Sequence, residues 1–114
     1  MSGDLTEFLC ARLDEVEAAA NAVAGAALDA HWTPESIAED ERTRVARYGP
    51  ARVLREVEAK RRIVEDYRIA ASAVMRTENA SDSMYAGRDA FRSACVTLAA
   101  VYSDHPDYRQ EWKP

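Results

Sequence analysis

The sequence predicts an all-α protein, a three- to four-helix antiparallel bundle with one long central helix and a short C-terminal turn. Three observations predict it. Apolar residues recur at three- and four-residue steps over most of the chain, as one face of a helix requires. Sustained two-residue alternation is missing and β-branched residues are sparse, so nothing reads as a strand. Breaks such as Gly49-Pro50 separate the periodic stretches, no glycine or proline interrupts residues 51–76, and the connections are short, which favours antiparallel neighbours.

The first stripe is Leu5, Phe8, Leu9, Leu13, Val16, Ala20 and Val23. Asp4 fits its N-cap, with Glu7 three residues on as in a capping box. Gly25 can end this helix, although the alanine-rich run to Ala30 can prolong it. A break follows at His31-Trp32, where Trp32 reads as a plug for the bundle. Thr33 then caps a second helix: Pro34 suits the first helical position, and Glu35 and Glu39 suit a helix N-terminus. Its stripe of Ile37, Glu41, Val45 and Tyr48 is the weakest of the four.

Gly49-Pro50 interrupts the chain again, and Pro50 opens the third helix. Val53, Val57, Val64, Tyr67, Ala71 and Val74 form its stripe, widened by Leu54, Ile63 and Met75, with the Lys60 stem on the same face. Residues 51–76 contain neither glycine nor proline. A helix of that length runs about 39 Å at 1.5 Å per residue. Thr77 to Ser83 is a polar loop, and Asp82 or Ser83 caps a fourth helix carrying Tyr85, Phe91, Cys95, Leu98 and Tyr102. Asp104-His105-Pro106-Asp107 stops it, leaving Tyr108 and Trp112 on a short final turn.

At 114 residues the chain is read as one helical domain, residues 1–114. Apolar residues make up 47% of it but aromatics only 8%, and alanine supplies much of the rest, so the core is expected to be thin. No apolar run nears the roughly 20 residues that span a bilayer, and the N-terminus has no signal-peptide pattern. The expected location is therefore the cytoplasm, with Cys10 and Cys95 as reduced, packed thiols.

The net charge of −5 is unevenly spread. Residues 1–41 hold ten acids against one base, whereas residues 42–76 hold ten bases against four acids. Such segregation can offer a basic surface to an acidic partner, or it can neutralise itself when helices pack; the acidic total favours the second. The run Lys60-Arg61-Arg62 invites a nucleic-acid reading. Yet Arg52 and Glu56, Glu56 and Lys60, Glu58 and Arg62, and Arg61 and Glu65 all stand four apart, where helical ion pairs form. The uncompensated bases are Arg42, Arg44, Arg47 and Arg55, the candidate interaction surface. Glycine-rich phosphate loops and aromatic stacking motifs are missing.

The second candidate is the C-terminal cluster of Asp104, His105, Asp107, Tyr108 and Trp112. A carboxylate beside an imidazole can orient a general base, but no nucleophile accompanies it in sequence. The expected role is structural: the tail folds back, Tyr108 and Trp112 cover one end of the bundle, and Arg109 pairs with a carboxylate. No catalytic residue and no cofactor are predicted.

Three blocks resemble one family of small proteins: Asp4-Leu-Thr-Glu-Phe-Leu-Cys-Ala-Arg-Leu-Asp-Glu15, Gly49-Pro-Ala-Arg-Val-Leu-Arg-Glu-Val-Glu-Ala-Lys-Arg-Arg-Ile63, and the tail from Cys95 to Trp112 with its Asp104-His-Pro-Asp-Tyr-Arg-Gln-Glu-Trp112. The family so resembled is actinobacterial and actinophage, a domain of unknown function, and the resemblance implies no reaction. Many of its members carry Cys and His between the second and third blocks, in spacings that suggest zinc. Here residues 65–94 have neither, and only Cys95 matches a family cysteine. Zinc wants four ligands in tetrahedral array, so no metal is expected and packing takes its place.

The combined expectation is a non-enzymatic helical protein that acts through protein–protein interaction, by self-association as a homodimer or with another protein. The alternative is a DNA-associated regulatory or phage accessory factor using the basic helical surface.

Overall fold

A computed structural model describes residues 2–28 and 49–114. Those residues form three α-helices, α1 (Ser2–Leu28), α2 (Pro50–Arg76) and α3 (Asp82–Ala99), followed by two single 3₁₀ turns, Ala100–Tyr102 and Gln110–Trp112. No strand occurs among them, so the protein is all-α. The second helix expected from Thr33 to Tyr48, the Trp32 plug, and Arg42, Arg44 and Arg47 lie outside the described residues.

Helix α1 begins earlier than its sequence signals suggest, and of the two ends they allow it takes the later, beyond Gly25. It starts at Ser2, so Asp4 lies inside the first turn rather than at the cap, and it continues through Gly25 to Leu28. An exposed glycine costs a helix only about 1 kcal/mol relative to alanine, too little to break a run of alanines. Gly49 is a true punctuation mark: its φ of +89° is a left-handed conformation that favours glycine. The Gly49 carbonyl accepts the first helical bond, from the Val53 N–H at 3.3 Å. Pro50 takes the first helical position, where its missing N–H costs nothing.

The α2–α3 connection is a short polar turn. At its start Thr77 Oγ1 donates to the Ala73 carbonyl at 2.6 Å and Arg76 Nε to the Ser72 carbonyl at 3.4 Å. Asn79 makes the reversal with φ +57°, a conformation asparagine tolerates better than most residues. The cap of α3 is Ser81, not Asp82 or Ser83: its Oγ accepts the Met84 N–H at 3.2 Å. Asp82 sits in the first turn, where its charge complements the helix dipole.

The fold gathers into two compact units, one made of residues 12–60 and the other of residues 1–11 with 61–114. In the first, Leu13, Val16, Ala20 and Val23 from α1 and Val53 and Val57 from α2 are buried. Arg12 is also buried there and pairs with Glu15 at 2.9 Å, which the sequence did not signal. In the second, the buried set is Leu5, Phe8 and Leu9 from α1, Val64, Tyr67 and Val74 from α2, Cys95, Val96 and Ala99 from α3, and Tyr108 and Trp112 from the tail. Within this unit α2 and α3 run in opposite directions: the Cys95 thiol reaches the Ile63 carbonyl at 4.0 Å, while Met75 shares a cleft with Arg88.

Two stripe assignments fail. Met75 continues the α2 stripe by register but is 86% exposed, and on α3 Tyr85 and Phe91 are exposed while the buried positions are Cys95, Val96 and Ala99. Periodicity selects a face; whether anything covers it depends on elements distant in sequence.

Candidate functional site

Two features of the second unit stand out, an aromatic cluster at the tail and an open cleft between α2 and α3.

The tail turns back through successive i to i+3 bonds: His105 N–H to the Tyr102 carbonyl at 2.9 Å, Tyr108 N–H to the His105 carbonyl at 3.0 Å, and Trp112 N–H to the Arg109 carbonyl at 3.0 Å. These turns bring four rings around Phe8 of α1. Centroid separations from Phe8 are 6.2 Å to Tyr102, 5.5 Å to His105, 6.1 Å to Tyr108 and 5.1 Å to Trp112, mostly edge to face. Tyr108 and Trp112 also meet edge to face at 5.7 Å. Edge-to-face geometry suits the aromatic quadrupole and adds to what burial alone supplies.

Each member of the predicted C-terminal cluster thus has a place. Tyr108 and Trp112 are buried, His105 is half-buried against Phe8, and Asp104 and Asp107 are exposed. His105 Nδ1 accepts the Asp107 backbone N–H at 3.0 Å, so Asp107 meets the imidazole through its main chain. Arg109 pairs with Glu111 at 3.4 Å and lies 5.8 Å over the Trp112 ring. The Tyr108 hydroxyl is buried with no protein hydrogen-bond partner among the described residues. The sequence marked the tail half of this cluster from His105 on; its hub, Phe8, lay 97 residues before His105 and looked like any other stripe position.

The cleft is lined by Tyr67, Ala71 and Met75 of α2 and by Arg88, Asp89 and Arg92 of α3, and encloses about 250 Å³. Its charges are partly spoken for. Arg88 pairs with Asp89 at 2.8 Å and its guanidinium lies 5.0 Å over the Tyr85 ring. Arg92 makes no ion pair with any described residue. The signal that could have found this site is the register of α3: Tyr85, Arg88, Arg92, Cys95 and Ala99 fall at three- and four-residue steps on one face.

The cysteines are both free thiols. Cys10 is half-buried, with the Arg68 guanidinium 3.9 Å from its sulfur. Cys95 is fully buried, and that burial pushes its thiol from the ordinary 9.0 up to about 11, with Arg92 pulling the other way. A thiol held protonated is a poor nucleophile and a poor metal ligand. Among the described residues no three His, Cys, Asp or Glu side chains converge in a way that could hold a metal ion.

Of the predicted basic surface, Arg55 is described and is exposed on α2. Nearby, the Arg52–Glu56 pair closes at 3.5 Å, whereas among the described residues no ion pair joins Glu56 to Lys60 or Glu58 to Arg62. Arg68 and Glu65 add a pair at 3.2 Å, three apart. No helix among the described residues is long and apolar enough to cross a membrane.

Fold and surface together define a small all-α protein whose distinctive features are packing clusters and an amphipathic cleft. The chain belongs to the group described as "Family of unknown function (DUF6221)", which matches residues 2–114. No curated protein and no solved structure matches it.

Proposed function

We propose that this protein works by binding another protein chain rather than by catalysis, and that the binding surface is the open cleft face of the α2–α3 hairpin. One observation carries the reading: Met75 lies on the same stripe as buried Val64, Tyr67 and Val74, yet is 86% exposed. A large apolar side chain at a core register, left in water beside a cleft, is what a contact surface needs. Tyr85, 42% exposed, extends the same face on α3. The cytoplasm, where thiols stay reduced, is the compartment that suits Cys10 and Cys95.

A nucleic-acid role through Arg42, Arg44, Arg47 and Arg55 is the weaker reading. The net charge is −5, and the helix that presents Arg55 closes acid–base pairs on itself.

The test is in-cell photocrosslinking from a probe residue placed at Met75, with one at exposed Ala11 as control. The reading expects a discrete protein adduct from position 75 and none from position 11. Equal, diffuse labelling from both positions would overturn it.

A further inference from the structure

The cleft face carries both halves of an ion pair. Arg92 is uncommitted among the described residues, and the Asp89 side chain, though paired with Arg88, is 62% exposed. A carboxylate has room for more than one donor, so Asp89 can accept a second guanidinium. The two residues are three apart on α3 and line the same cleft. Around them stand apolar Met75 and Tyr85, with Tyr67 as the buried floor.

A surface that holds a free cation, an accessible anion and exposed apolar groups is complementary to itself. Two-fold interfaces require this, because the same patch is presented by both partners and residue i meets j while j meets i. A partner of one charge sign would leave either Arg92 or Asp89 facing its like.

Building on the binding surface proposed above, we infer that its occupant is a second copy of this chain. The α2–α3 hairpins meet face to face across a two-fold axis, with Arg92 of each copy paired to Asp89 of the other. Met75 and Tyr85 lose water against their counterparts. The contact then supplies the cover that α2 and α3 lack at their turn end, while the Phe8 cluster fills the other end of the unit from within the chain.

Sedimentation equilibrium of the full-length chain from low-micromolar to millimolar concentration tests this. Wild type is expected to pass from the mass of one chain to that of two. Arg92→Glu and Asp89→Arg each place like charges opposite one another, and each should weaken self-association about tenfold or more. An equimolar mixture of these two variants restores both attractive pairs, so it should associate at near wild-type strength although neither does alone. Met75→Asp, at a position open to water, should abolish association with an unchanged far-UV circular dichroism spectrum. A wild type that stays at one chain mass at millimolar concentration overturns the second copy as occupant, while adducts to other proteins at position 75 would still uphold the binding face. A wild-type dimer indifferent to Arg92→Glu, or variants that do not rescue each other, overturns the pairing and puts the dimer contact elsewhere.

Discussion

The Phe8 ring stands 5.1 Å, centroid to centroid, from the indole of Trp112, two residues before Pro114. The first helix and the last turn therefore share one core. With aromatics at 8% of the sequence, placing five rings, counting His105, around one point concentrates the bulky packing of this alanine-rich protein.

Truncating the cluster should be costly. Phe8→Ala or Trp112→Ala should each lose about 3–5 kcal/mol in urea unfolding, the usual range for a buried aromatic. The two changes should not be additive, because the rings touch; a coupling of about 1 kcal/mol is expected from a double-mutant cycle. Tyr108→Phe separates ring from hydroxyl. Since the hydroxyl has no protein partner among the described residues, its removal should change stability by less than about 1 kcal/mol. A loss above 2 kcal/mol there would show that the hydroxyl, not the ring, matters.

Two glycines should respond to alanine with opposite signs. Gly25 is helical and exposed with open space around its missing Cβ, so Gly25→Ala should stabilise by about 0.5–1 kcal/mol. Gly49 also has open space, but its φ of +89° strains any L side chain. Gly49→Ala should cost about 1–2 kcal/mol. Chemical denaturation midpoints decide both.

The buried Cys95 thiol makes stability fall at alkaline pH. Its folded value of about 11 lies above the ordinary 9.0, so the native state holds the proton that the unfolded chain releases. The contribution is fully present below pH 9 and is lost as pH rises toward 11, on the order of 1.4 kcal/mol per pH unit. Cys95→Ala should remove that slope. At neutral pH a thiol reagent should modify half-buried Cys10 first and reach Cys95 only on unfolding.

Duplex DNA should not shift in a mobility assay with this protein, even at low salt. Binding that weakens steeply with added salt would instead reinstate Arg42, Arg44, Arg47 and Arg55 as a phosphate-contacting surface.

Much was legible from the residues alone. The all-α class, the α1 stripe, the Gly49-Pro50 start and the 27-residue length of α2 all follow from interactions within a few residues along the chain. So does the stop after α3, because Asp104 to Asp107 can turn but cannot continue a helix. Family membership follows as well, since the match runs along the sequence itself. The tertiary structure alone decided which parts of each stripe are covered. It buried Cys95 and left Met75 and Tyr85 in water, though register treats all three as core-facing. It also joined Phe8 to Trp112 and set Arg92 and Asp89 in one cleft. The reason is range: turn chemistry and helical period act between near neighbours, whereas burial depends on which distant segment arrives to exclude water.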